Sequence, residues 1–484
     1  MNRRHGLLPI LATVLLVASA CSTSAPTLAP GTSSPTAAGP TGPAPTAAPH
    51  QTFNIPAFAP AALRWFCCLG TGDAPEQQPT EKAVADGFAG KYPGSSLKIE
   101  ISTYDAAVGA LSTQIGPNPP DIVGPNGIGG LGSFRGQWTD LGPYLTKSNY
   151  DLSVYDPTTV KFFEQDGLQV GVPFDLYPSM LWYKRGFFEE AGLDEPPHKF
   201  GAKYKLAGTE VEWSYDTLRQ VAMKLTVDKN GKDATEVGFD PTKIEQFGFE
   251  PQRDVLTGLG AFWGAGSLVG TDGKTVVIPP AWADGWKFVY DGIWKDHFIM
   301  TEAQFASDKF GGNDQAFFSG RVAMSENFLW ATWGITGAGD DWDIAAIPAH
   351  NGKITAPLNA DTFSLVKNGT HQDASFAAMV YLLQDKSPEL LSLYGGMPAR
   401  VAEQDAFLTQ FGKTEGFPTD VDWQVAKDAV AYADFPNFED SMPKYNQTLD
   451  ILKKYRSRWT TTPGLNMDDQ IEQLRKEIQA AWDK

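Results

Sequence analysis

The chain has 484 residues, of which 42% are hydrophobic and 20% charged, so it can bury a sizeable core and is not a wholly disordered chain. Its 57 acidic residues against 39 basic ones leave a net charge of −18, which repels phosphate backbones and anionic lipid surfaces and argues against nucleic-acid binding. Three cysteines are too few for a disulfide scaffold.

In chain order, Arg3 and Arg4 precede an apolar run, Leu7–Val17, and the small residues Ala18-Ser19-Ala20. Residues 1–20 therefore read as a secretory signal peptide, with an apolar stretch too short for a membrane span. Its removal takes away Arg3 and Arg4 and no acid, leaving −20. Cys21 after Ala-Ser-Ala resembles the bacterial lipoprotein signal, which implies diacylation of Cys21, although Ala18 stands where that pattern prefers Leu or Val. The alternative is ordinary cleavage that leaves a free N-terminal Cys. Residues 22–49 hold only Ser, Thr, Ala, Pro, Gly and one Leu, with seven Pro and no charge. Such a stretch cannot bury enough apolar area to fold, so 21–54 is expected to be an extended tether reaching roughly 80–90 Å.

Folding is expected from about residue 55. Ala61–Leu69 is a continuous apolar run that suits a buried strand, broken by Gly70-Thr71-Gly72-Asp73. Thr80–Tyr92 reads as a helix ended by Pro93-Gly94, and Leu97–Ser102 as a second, parallel strand. Pro120–Gly124 is a further strand, with a glycine-rich turn at Pro125–Gly130. Val170–Pro173 and Ser179–Tyr183 read as strands flanking a turn, and Ile344–Ile347 and Phe363–Val366 as later strands. Helix patterns recur at Ser214–Leu225, Asp373–Leu383 and Met467–Trp482. In the last, Ile471, Leu474, Ile478 and Trp482 form one stripe, with Asp468 and Asp469 in the first turn. The class is α/β, with ligands expected at the carboxyl ends of strands.

Several segments then become recognisable. Phe88–Gly94 follows the pattern F-x-x-x-Y-P-G, and Pro120-Asp121-Ile122-Val123 the pattern P-D-V-V. Val172–Asp175, Trp182–Arg185, Phe187–Leu193 and Glu195-Pro196-Pro197 follow V-P-x-x…Y-N-K-x-x-F-x-x-A-G-L-x-x-P-P, with Lys184-Arg185 in place of Asn-Lys. Gly320–Met324 and Gly395–Arg400 match G-K-A-A-M and G-x-x-P-A-R. In this order, over residues 60 to 400, they resemble the carbohydrate-type extracellular solute-binding proteins of bacterial ABC importers, related to maltose-binding protein. The resemblance implies a two-lobed periplasmic-binding-protein-like fold (type II), with a hinge and an interlobe ligand cleft that closes on its solute. By matching segments, lobe 1 would be 55–173 plus 349–385 and lobe 2 would be 174–348 plus 386–484.

A sugar needs Asp, Asn, Glu or Arg for its hydroxyls and aromatic rings for its C–H faces. Trp65, Thr71 and Asp73 lie at or after the end of the first strand, Asp105 follows the second, and Asn126 sits in the glycine turn. Asp175 and Tyr177 fall where the hinge is expected, Asn359 and Asp361 precede the Phe363 strand, and Arg400 ends the late motif. Asn327, Trp330 and Trp333 follow Met324, where the resemblance implies a ligand-stacking Trp. Each has a second reading: Trp65 and Trp330 as core, Asp73 as the cap of the helix after it, Asp175 and Asp361 as caps or hinge hydrogen-bonders, and Arg400 as the partner of a carboxylate. Cys67 and Cys68 read first as two small buried thiols, because adjacent strand residues point to opposite faces, and second as a vicinal disulfide in a distorted turn.

Other chemistry finds little support. The six His have no pair at i, i+3 or i+4, so neither a metal site nor a cofactor is expected. There is no phosphate-binding G-x-x-x-x-G-K-[ST] loop and no G-x-S-x-G elbow. The expectation is thus a non-enzymatic, exported, monomeric binder of a sugar or polyol, tethered to the membrane and delivering to permease subunits with a separate ATPase. The alternatives are the same fold binding a polyamine, organophosphate or metal chelate, and a secreted glycosidase using two carboxylates.

Overall fold

The computed structural model describes residues 53–253, 255–310, 316–334, 341–414, 416–440 and 442–484. The expected signal peptide, Cys21 and the expected tether to residue 52 lie outside them, as does the side chain of Trp333. Packing begins two residues before the expected boundary: Phe53 stacks on Tyr150 at 4.8 Å, and the Asn54 N–H donates to the Ser148 carbonyl. Among the described residues no helix is long and apolar enough to cross a membrane.

Ten strands form one path of pairing. They are β1 (Ala62–Cys67), β2 (Ser96–Ile101), β3 (Ile122–Gly127), β4 (Pro173–Tyr183), β5 (Val227–Asp228), β6 (Ile244–Glu250), β7 (Val322–Phe328), β8 (Asp343–Ala345), β9 (Leu358–Leu365) and β10 (Met397–Pro398). The spatial order is β2-β1-β3-β9-β4-β7-β6-β5, with β8 and β10 also paired to β4. β1 is parallel to β2 and β3, and β6 is parallel to β7, so each end of the path is a strand–helix–strand unit. Between them β4 is shared: residues 173–178 pair with β9 and β10, and residues 179–183 with β7 and β8. Two half-sheets therefore hang on one buried strand.

β4 corrects the sequence reading. A turn was expected between Pro173 and Ser179, because Asp175 to Pro178 interrupts an apolar run. Asp175 and Tyr177 are instead, with Ser179, the polar face of a single eleven-residue strand, alternating with Phe174, Leu176, Pro178 and Met180. The glycine turn at Pro125–Gly130 is likewise absent: β3 runs to Gly127 and a short helix, α1 (Ile128–Ser133), starts at once. A side chain at Gly130 would collide with Asn126 and Leu69, so glycine lets this helix press onto the strand. The helices over Tyr215–Lys224 (α2) and Met467–Trp482 fall as expected. Ser214 and Asn466 cap them, accepting the Thr217 N–H at 3.3 Å and the Asp468 N–H at 3.1 Å.

A further connection crosses at residues 432–438. Asp434 accepts the Leu358 and Phe438 N–H groups at 3.1 and 2.6 Å, and Asn437 donates to the Leu358 carbonyl at 2.8 Å. The helix Ser387–Tyr394, expected with the second lobe, packs on the first half-sheet. Tyr394 donates to Glu81 at 2.9 Å and Gln77 to the Leu393 carbonyl at 3.2 Å, while β10 pairs with the first half of β4.

Candidate functional site

The structure separates the expected site residues into two places. The first is the hinge. Across the β4–β9 ladder Asp361 lies opposite Asp175, and Asn359 opposite Tyr177, so all four share one face. Asp175 is fully buried; its Oδ2 accepts the Tyr177 hydroxyl at 3.1 Å and its Oδ1 the Asp361 N–H at 3.2 Å. Asp361 in turn accepts the Thr71 N–H at 3.0 Å. Burial and the neighbouring Asp361 hold Asp175 well above the usual carboxylate range, and burial pushes Asp361 up to about 6. Burial likewise pushes Asp434 and Glu81 up to about 7. None of these four acids meets a Lys, Arg or His among the described residues; their partners are N–H groups, hydroxyls and an amide.

Several expected contacts are structural here. Trp65 is fully buried against Phe363 and donates its indole N–H to the Gly124 carbonyl. Asp73 does not cap the helix that follows it; it accepts the N–H of Tyr104 at 2.9 Å, where the Tyr104–Gln114 helix begins with no cap from its own Thr103. Asp105 is exposed in the first turn of that helix. Arg400 donates to Glu403 and to the Leu383 carbonyl, so it supports the strand end rather than facing a cavity of any volume. Asn126 is fully buried with neither amide atom hydrogen-bonded, and the Asn359 amide oxygen is likewise unpartnered. Cys67 and Cys68 are joined as a vicinal disulfide, against the first reading. The alternation argument fails there because β1 ends at Cys67, and the two Cα atoms stand 3.1 Å apart.

The second place is a cavity of about 280 Å³ at the carboxyl ends of the parallel strands β6 and β7. Asn327 and Trp330 reach it together, carried by the end of β7 and the turn Leu329–Gly334. Trp330 stacks on Phe328 at 5.8 Å, 19° from parallel, which leaves an indole face for the cavity. Trp182 and Phe305 add apolar walls. The polar side was not expected. Arg253 is buried, grips both carboxylate oxygens of Glu250, donates to the Met300 carbonyl at 2.6 Å and lies 4.8 Å over the Phe305 ring. Arg456 donates to the Arg253 carbonyl, and Glu302 stands 3.9 Å from both guanidiniums. Burial outweighs the guanidinium and pushes Glu250 up to about 7; burial pushes Glu326, which accepts the Tyr215 hydroxyl, up to about 8. The cavity offers a ring face to stack on and donors and acceptors on the other side, a lining that suits a small polyhydroxy body.

Sequence reasoning could have found Arg253 and Gln252, which also lines the cavity. Ile244–Glu250 alternates as a strand, and Pro251-Gln252-Arg253 stands at its carboxyl end. Glu302 and Arg456 carry no such local signal.

Comparisons with known proteins agree with this architecture. The family model described as "Bacterial extracellular solute-binding protein" matches residues 72–387. The sn-glycerol-3-phosphate-binding periplasmic protein UgpB of Brucella abortus (strain 2308) is 23% identical over 327 residues, which cover 63% of this chain and 66% of that relative's length. Among solved structures, the ABC substrate-binding protein Lmo0181 of Listeria monocytogenes, in complex with cycloalternan, superposes with a TM-score of 0.65 at 16% identity, covering 87% of this chain and 99% of that one. UgpB of Mycobacterium tuberculosis, in complex with glycerophosphocholine, gives 0.61 at 14% identity, covering 88% and 98%. These similarities show the fold: two α/β lobes of the type II periplasmic-binding-protein class.

Proposed function

Because this chain belongs to the bacterial extracellular solute-binding protein family, we propose that it is the binding component of an ABC importer for a small sugar or polyol. The observation that carries this reading is the cavity at the ends of β6 and β7, where the Trp330 face and the Asn327 amide meet a buried arginine–carboxylate set. It is a binder rather than an enzyme. The solute is held between lobes that close about β4, β9 and the 432–438 crossing, and is passed to permease subunits served by a separate ATPase. Lobe 1 takes residues 55–173 and 349–385 and, by its packing, also 387–400; lobe 2 takes 174–348 and the remainder. The exported monomer is tethered through a lipidated Cys21. The polar face of β4 and β9, with Asp175, Tyr177, Asn359 and Asp361, forms the floor beneath the cleft.

A phosphorylated solute is the second reading, favoured by the two guanidiniums beside the cavity and by the UgpB relatives. A thermal-shift screen of mono- and oligosaccharides, polyols and glycerophosphodiesters tests both, with turnover followed in parallel. A ligand at 100 times its Kd adds about 2.7 kcal/mol, a rise of a few degrees in a protein this size. A shift with a sugar or polyol and no product is the expected result. A shift with a charged solute alone discards the carbohydrate reading, and turnover discards the binding one.

A further inference from the structure

The cavity that could take either a neutral or a phosphorylated solute carries its own means of choosing. Its two guanidiniums are not open cations. Arg253 spends its Nε and one Nη2 bond on the Glu250 carboxylate and a second Nη2 bond on the Met300 carbonyl. Its Nη1 has no hydrogen-bond partner and stands 3.9 Å from Glu302 Oε2, while Arg456 Nη2 is 3.9 Å from Glu302 Oε1. One carboxylate thus stands between two cations at the rim.

Glu302 is held in that position from two sides. It is the first residue of a short helix whose capping box, Thr301 with Gln304, fixes the backbone, and the Thr460 hydroxyl donates to its Oε2 at 3.2 Å. Arg253 Nη1 is itself buried, so the charge that a solute meets at this rim is that of Glu302 and Arg456, and a neutral hydroxyl can hydrogen-bond there without opposing either. A phosphate could not: it would displace Glu302 or lie against it, and two like charges in contact repel.

We propose that Glu302 is the charge-selectivity residue of this cavity: by standing between Arg253 and Arg456 it admits a neutral polyhydroxy solute and excludes a phosphorylated one. This rests on the solute-binding reading and sharpens its ligand class. It also separates this chain from relatives named for glycerol 3-phosphate.

The test uses inorganic phosphate as the probe, titrated calorimetrically into the full protein and into Glu302→Gln, which keeps size and hydrogen bonding but removes the charge. Glu302→Gln is expected to bind phosphate at least about tenfold more tightly than wild type, with a steeper loss in salt, because two guanidiniums then face one carboxylate. Glu302→Asp, which keeps the charge, should stay close to wild type, and adding Arg456→Gln to Glu302→Gln should remove the gain. Phosphate binding by wild type as tight as by Glu302→Gln overturns the proposal, as does a gain that survives loss of Arg456. Failure of every neutral solute to bind wild type would sink the sugar or polyol reading, while the phosphate comparison still decides the role of Glu302.

Discussion

The hinge and the cavity both bury carboxylates, and they surround them with different partners. At the hinge, Asp175, Asp361, Asp434 and Glu81 are surrounded by N–H groups, hydroxyls and an amide, and burial raises the pKa of each. In the cavity, Glu250 and Glu302 also meet the guanidiniums of Arg253 and Arg456, although burial still pushes Glu250 up to about 7 and Glu326 meets the Tyr215 hydroxyl instead. Neutral donors leave no fixed charge beside the paired strands. A guanidinium keeps both charge and directed donors at the cavity wall.

The largest effect that would test this contrast is removal of Arg253. Arg253→Met leaves Glu250 buried without its partner and should cost about 3–5 kcal/mol in denaturant unfolding. Asp175→Asn, which removes a hinge acid that has no cation to lose, should cost about 1 kcal/mol or less. Equal costs would mean that the two regions are not different in kind.

The pH dependence comes next. The folded pKa of Asp361 is raised to about 6 from an ordinary value near 4, so the native state holds a proton that the unfolded chain has released. This contribution is fully present below about pH 4 and is lost as pH rises through about 6. Two pKa units correspond to at most about 2–3 kcal/mol. Asp361→Asn should flatten the fall in stability over that window relative to wild type, read by melting at a series of pH values; parallel curves would remove the proton from the hinge.

Two smaller effects separate affinity from stability. Trp330→Ala should weaken solute binding by about tenfold while moving the melting temperature little, because it removes one stacking face at a partly exposed position. Tyr177→Phe should lower stability by about 1 kcal/mol through the lost bond to Asp175, with affinity within about threefold of wild type. A large affinity loss in Tyr177→Phe would move the solute to the hinge floor.

How much of this was legible varies from residue to residue. β1, β2 and their parallel pairing could be read because one apolar run and one alternating run flank a helix of the right length. β4 was misread because its polar residues looked like a break; only pairing on both edges shows that they are one face of a strand. Trp330 and Asn327, chosen by chemistry and position together, both line the cavity. Trp65, Asp73 and Arg400 were reasonable candidates by type, but the fold spends them on a core contact, a helix start and a strand end.

The sequence by itself determined the α/β class, the first two strands and the family. Those features depend on neighbours a few residues apart, which periodicity and motif order record. Only the tertiary structure decided that Asp175 faces Asp361 across 186 residues, and that Arg253, Glu302 and Arg456 form one charge set across 203. Whether a buried carboxylate meets a guanidinium or only neutral donors depends on what lies within 4 Å of it, and for distant partners chain order holds no record of that distance.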